Sequence, residues 1–214
     1  MPPPADLGRH LLEDRAGLEK AYCAASLAGF VRRAWPVLEP GTPYVHGRVI
    51  DALAEHLQAV TSGEIRRLLI TVPPGTAKSL VASVFWPAWT WGPKGLAHLR
   101  FLSFSYSDRL SIRDNRRTKL LVQSDWYQAL WPLGMATDQD AKVLFENDRR
   151  GWRMASSVGG VGTGARADVL LVDDPHAAAD ANSPANLERA LLWWRETLPT
   201  RVNSPERSAI VVIM

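Results

Sequence analysis

Short runs dominated by apolar residues alternate along this chain with longer stretches in which apolar residues recur at helical spacing. Four runs, 68–72, 100–106, 168–172 and 208–214, are rich in branched and aromatic residues and are bounded by turn residues. Such runs suit strands buried on both faces of a parallel sheet, not strands with one wetted face. Upstream, Val49, Ile50, Leu53, Leu57 and Val60 fall on one side of a helix over 46–62 that Gly63 stops. Ser107 and Asp108 start a second helix that reaches about Gln123. Ser183-Pro184 caps a third, with Leu187, Leu191, Trp194 and Leu198 at helical spacing before Pro199, so Trp193 and Trp194 are expected in the core. Over 142–156 the order Val143-Leu144-Phe145, Asp148-Arg149-Arg150-Gly151, Trp152-Arg153-Met154 reads as a β-hairpin. Residues 1–8 are expected to be disordered.

Strands alternating with helices predict an α/β fold with a mostly parallel central sheet flanked by helices. Residues 1–64 form a helical N-terminal lead of the same domain, and 65–214 form its core. Two strand ends carry candidate chemistry. The first runs through Val72-Pro73-Pro74-Gly75-Thr76-Ala77-Lys78-Ser79, a strand that breaks into a turn and opens a helix at a Lys-Ser pair. This is the order of a phosphate cradle, in which the loop Pro74, Gly75, Thr76 and Ala77 wraps the phosphates, Lys78 places its charge on the outer two and Ser79 holds Mg²⁺. Val72 and Ala77 stand where the standard pattern has glycines. The second end is Val172-Asp173-Asp174-Pro175, where Asp173 suits a Mg²⁺ ligand and Asp174 a residue that orients the attacking water. Each motif alone also fits a plain structural junction, but together they predict a P-loop NTPase that uses ATP and Mg²⁺. A strand at 100–106, between the two in sequence, is the order of the RecA-like, additional-strand class, an expectation by fold analogy.

Composition narrows the setting. The chain has 214 residues, 46% of them hydrophobic, enough for one domain with a sizeable core. No apolar run reaches the ~20 residues of a membrane span, and the start lacks the order of a secretion signal, so a soluble, cytoplasmic protein without membrane partners is expected. The single cysteine, Cys23, excludes an intrachain disulfide and reads as a helix-packing residue. Net charge is only +3, yet Arg109, Arg113, Arg116 and Arg117 form a stripe on the helix after the second strand. Arg113 and Arg116 are candidates for DNA phosphate contacts or for an arginine finger reaching a neighbouring subunit; a solvated face balanced by Asp108 and Asp114 is the alternative. The nine tryptophans sit mostly in apolar runs and read as packing. The glycine-rich stretch 159–164 lacks the strand–loop–helix order of a dinucleotide site and reads as a mobile element beside the sheet.

Taken in order, several segments resemble the ATPase domain of the large terminase subunit, the motor that packages DNA into tailed-phage heads. The likeness runs through Pro43-Tyr44-Val45-His46, the loop 72–80, Val84-Phe85-Trp86-Pro87-Ala88-Trp89, Ser124-Asp125-Trp126-Tyr127, Gly162-Thr163-Gly164 and Asp173-Asp174-Pro175-His176. The resemblance implies ATP-driven translocation of double-stranded DNA into a prohead by a homo-oligomeric ring, with a portal protein and a small terminase subunit as partners, in a bacterial host's cytoplasm. It also implies Tyr44 and His46 at the adenine end of the nucleotide. Relatives often carry Arg-Gly after Thr-Gly where this chain has Ala165-Arg166. In the family the strand matching 208–214 leads into a coupling motif and a nuclease domain, so the chain ending at Met214 is expected to bind ATP weakly, turn it over slowly, cleave no DNA and self-associate through an uncovered last strand. A helicase-like nucleic-acid ATPase and a non-catalytic, nucleotide-binding prophage remnant are the alternatives.

Overall fold

In the computed structural model the strands gather into one sheet, and residues 4–136, 142–160, 164–177 and 183–214 are described. The strands are β1 (Arg67–Ile70), β2 (Phe101–Ser105), β3 (Leu144–Glu146), β4 (Trp152–Ser157), β5 (Val169–Asp173) and β6 (Ala209–Ile213). Their spatial order is β1-β6-β5-β2-β4-β3. Every pairing is parallel except that of β3 with β4, which is the expected hairpin. The strand β5, apolar up to its terminal Asp173, lies in the middle with every residue buried, as a parallel strand covered on both faces must.

The last strand is not an edge. β6 inserts between β1 and β5, with Ile210 opposite both Arg67 and Leu170, so its backbone is paired on both sides and the expectation of an uncovered last strand is corrected. The strand interposed in space between the loop strand and the acidic strand is therefore β6; β2, which separates them in sequence, lies on the far side of β5.

Eight α-helices are seen among the described residues. α1 (Pro4–Ala25), α2 (Leu27–Leu38) and α3 (Arg48–Ser62) form the N-terminal lead; α1 begins at Pro4, where disorder was expected. After β1 comes a continuous helical segment, α4 (Lys78–Leu80), a π-helical stretch Val81–Phe85 and α5 (Trp86–Trp91). α6 (Asp108–Gln123) and α7 (Asp125–Leu130) follow β2, and α8 (Pro184–Leu192) follows β5. Gly63 ends α3 in the left-handed conformation, φ +84°, which glycine adopts without a Cβ clash.

Strand side chains alternate between two cores. Phe101, Val169, Leu171, Val211 and Ile213 face α2, α3, the π-helical stretch and α5, whereas Leu102, Phe104, Leu170, Val172 and Ile210 face Trp193, Leu198 and Val202. The first core is aromatic: Phe30 meets Phe85 and Tyr127 edge-on at 6.5 and 6.4 Å. Trp86, Trp89 and Trp91 are buried there, and each indole N–H is satisfied, donating to Thr61 Oγ1, the Cys23 carbonyl and the Leu99 carbonyl respectively. The tryptophan run is packing, and Cys23 is a buried helix-packing residue whose thiol burial pushes up to about 12.

Trp193 and Trp194 part company. Trp193 is buried against Phe104 at 4.9 Å, whereas Trp194, Leu191 and Leu192 are exposed. The helix changes to π-type winding at Trp193–Thr197 and to a 3₁₀ turn at Leu198–Arg201, so the regular spacing that placed Trp194 inward does not persist. Leu191 and Trp194 line a largely apolar groove of about 350 Å³ with Leu68, Val212 and Met214, to which Arg67 and His176 also contribute. Among the described residues no helix is long and apolar enough to cross a membrane.

Candidate functional site

Pairing between β1 and β6 continues past the strand ends: the Met214 N–H donates to the Ile70 carbonyl at 2.9 Å and the Val72 N–H to the Met214 carbonyl at 3.1 Å. The chain then leaves the sheet at Pro73-Pro74, which cannot donate to a ladder. Gly75 takes φ +82° and Ala77 φ +59°, and the Thr76 hydroxyl closes the turn on the Pro73 carbonyl at 2.8 Å. The helical segment starts at Lys78. Ala77 thus sits left-handed where the standard loop has glycine, a conformation costing an L-residue roughly 1–2 kcal/mol. Ala77→Gly is expected to raise stability by about 0.5–1 kcal/mol, read as a higher denaturation midpoint at unchanged m-value; a lower midpoint would show that the loop gains from the methyl.

The helical segment carries its two serines to the tip of β5. Ser79 Oγ donates to Asp173 Oδ1 at 3.1 Å, and Ser83 Oγ, one turn on, donates to Oδ2 at 3.1 Å. Lys78 Nζ lies 3.4 Å from Asp174 Oδ1. Asp174 itself is left-handed at φ +46°, its N–H held by the Ile213 carbonyl at 2.8 Å. So the loop after β1 and the acids after β5 meet at the C-terminal ends of the parallel strands, across the end of β6.

Burial raises the Asp173 carboxyl to about 6; the Ser79 hydroxyl opposes this, while Asp114, Asp174 and the Ser83 hydroxyl act more weakly. The folded protein therefore holds a proton on Asp173 between about pH 4 and 6 that the unfolded chain has released, and stability falls as pH rises through that window. Above it the ionised carboxylate costs the fold on the order of 3 kcal/mol. Asp173→Asn is expected to stabilise the chain by about that amount at pH 8 and by little at pH 4. Thermal melts at both pH values check this, and an equal gain at both would refute it.

Pro74, Gly75, Ala77, Lys78, Ser79 and Asp174 line a pocket of about 580 Å³. Thr76 is not one of the residues that line it. α6 contributes Arg113 and Arg117 to the same pocket, whereas Arg116 lines a separate depression with Lys119 and Lys142. The arginine stripe is thus split: 113 and 117, four apart, share a face, and 116 lies off it. Arg113 Nε donates to Asp114 Oδ1 at 2.8 Å, a bond that raises the guanidinium's pKa, and Arg117 is tied to Glu39 of the N-terminal lead.

Tyr44 and His46 are not brought to this pocket. The Tyr44 ring packs on Trp35 at 5.5 Å, its hydroxyl meets His46 Nδ1 at 2.9 Å, and His46 Nε2 meets Asp51 at 3.1 Å. Within the lead, that chain of contacts ties α2 to the start of α3, where Gly47 is the cap. Residues 161–163 lie outside the described residues, and with them half of the glycine-rich stretch and the Gly162-Thr163 pair.

Three participants escape sequence reasoning. Ser83 was detectable as the position one turn beyond Ser79. Asp114 and Arg153, both buried, carry no local signal, because a charge in a helix or strand reads as solvated until its neighbours are known. The chain matches no family model and no curated protein.

Proposed function

We propose that this chain is an ATP hydrolase, the motor part of a large terminase subunit that couples hydrolysis to translocation of double-stranded DNA. The observation that carries the ATPase reading is the contact of Ser79 with Asp173 across the interposed β6. It joins a Lys-Ser loop and an acidic strand end at the C-terminal edge of a parallel sheet, where ligands of open α/β sheets bind. The strand order agrees with the RecA-like, additional-strand class of P-loop NTPases, and the terminase part rests on the sequence resemblance.

Loop N–H groups and Lys78 would surround the phosphates. Ser79 Oγ and the Asp173 carboxylate are hard oxygen donors already in contact, a set that fits Mg²⁺, which when bound would neutralise charge on the phosphates. The Lys78–Asp174 ion pair supplies a second feature of the reading. When Lys78 turns to the triphosphate, Asp174 is released to accept a hydrogen bond from the attacking water. The water oxygen bonds to the γ-phosphorus as the bond to the β–γ bridging oxygen breaks. Arg113, which lines the same pocket, would in this reading act on the phosphates of its own subunit. In this reading the working assembly is a ring, with portal protein and small subunit as partners in a host cytoplasm.

The test is steady-state ATP turnover with Mg²⁺, alone and with blunt duplex or single-stranded DNA. Turnover stimulated by the duplex supports the reading. Stimulation by single strands alone points to a helicase-like motor, and nucleotide binding without turnover to a binding module.

A further inference from the structure

Phe101, Ser103 and Ser105 of β2, Arg153 of β4 and Asp173 of β5 share one face of the sheet, because Arg153 stands opposite Phe101 and Ser105 opposite Asp173. α6 covers that face. Between them lies a cavity of about 180 Å³ behind Asp173, lined among others by Ser103, Ser105 and Arg153. Arg153 is fully buried, and its Nε donates to Asn115 Oδ1 at 3.0 Å. Its Nη1 and Nη2, with Ser103 Oγ and Ser105 Oγ, have no hydrogen-bond partner among the described residues. Burial lowers the guanidinium only to about 10, with Asp114 and Asp173 opposing, so it is charged at neutral pH.

The carboxylates nearby are already engaged. Asp114 Oδ1 accepts from Arg113, both Asp173 oxygens accept from Ser79 and Ser83, and Asp174 pairs with Lys78. What the cavity leaves unpartnered is therefore a set of donors around a positive charge, and a buried guanidinium whose terminal nitrogens lack acceptors is strongly unfavourable. An occupant with several acceptor oxygens and negative charge resolves it. Ser79, Arg113, Asp114 and Asp174 form a wall shared by this cavity and the loop pocket, so an anion released at the loop lies next to the cavity.

We propose that this cavity is a second anion site, which takes inorganic phosphate, held by Arg153, Ser103 and Ser105 behind the nucleotide pocket. The identity of the anion rests on the ATPase reading; the site itself does not. Phosphate leaving the γ position then has a destination inside the fold while ADP still occupies the loop.

Equilibrium dialysis of radiolabelled phosphate against the full chain, with and without saturating Mg²⁺ and a non-hydrolysable ATP analogue, tests it. One phosphate per chain is expected to bind in the presence of the analogue. Ser103→Ala with Ser105→Ala should weaken it about tenfold, and Arg153→Met more, while analogue affinity stays within about twofold. The serine variant keeps the test informative if Arg153→Met does not fold. Phosphate displaced by the analogue, or bound equally well by the serine variant, overturns the proposal, leaving the cavity a water pocket. If the wild type binds no analogue yet binds phosphate sensitively to the serines, the anion site stands and the ATPase reading falls.

Discussion

Lys78→Ala is expected to abolish measurable ATP turnover and to weaken nucleotide binding, because among the described residues no other lysine lines the loop pocket. Loss of one preorganised charge at the transferring phosphoryl group costs about 10²–10³-fold in rate, and the lost ground-state contact adds a weaker binding constant. Asp174→Asn separates the two effects. Its amide keeps the shape of the side chain but loses the negative charge that attracts and orients water, so affinity for a non-hydrolysable analogue should persist while turnover falls by a similar factor. It also releases Lys78 from its 3.4 Å ion pair, so analogue binding is expected to be equal to or tighter than wild type. Unaltered turnover in either variant removes that residue from the mechanism. Analogue binding weakened in Asp174→Asn would mean that the acid builds the pocket and does not merely act in it.

The largest effect on stability is expected at Phe30. Its ring is fully buried and touches Phe85, Trp126, Tyr127 and Trp131, joining the N-terminal lead to the π-helical stretch and α7. Neighbours this large and interlocked cannot collapse into the gap, so Phe30→Ala should cost about 3–5 kcal/mol. Urea unfolding should show a lower midpoint with little change in slope. A loss under about 1 kcal/mol would mean that the lead folds independently of the sheet.

What was readable from sequence was what is local. β1, β2, β5 and β6 announce themselves as short apolar runs, α3 and α6 as periodic stretches with caps, and the loop and Asp-Asp end as strand terminations with charged residues. The meeting of Ser79 with Asp173 was legible only as a pairing of types, since the bond spans ninety-four positions. The place of β6 was not legible at all: a buried strand's composition is the same whether its neighbours are β1 and β5 or any other pair. Spacing groups Arg116 with Arg113, because a one-dimensional spacing does not say which side of a helix is covered. Sequence puts Arg153 in a hairpin, but its burial is decided by β2, β5 and α6, none of which adjoins it in sequence. Only the resemblance points Tyr44 and His46 toward the nucleotide; in the structure they pack within the lead.

Because β6 sits between β1 and β5, assembly of the pocket depends on the order in which the chain is made. Lys78 and Asp173 are both synthesised before residue 209, yet the strands that set their spacing, β1 and β5, are joined only through β6. Both partners of that insertion are parallel and non-local, the slowest kind of pairing to form. Until it happens, β1 and β5 each present an unpaired apolar edge, open to mispairing with another chain. A nascent chain therefore carries the parts of the site well before it carries the site, and its most vulnerable interval on the ribosome is the stretch between β5 and the last five-residue strand.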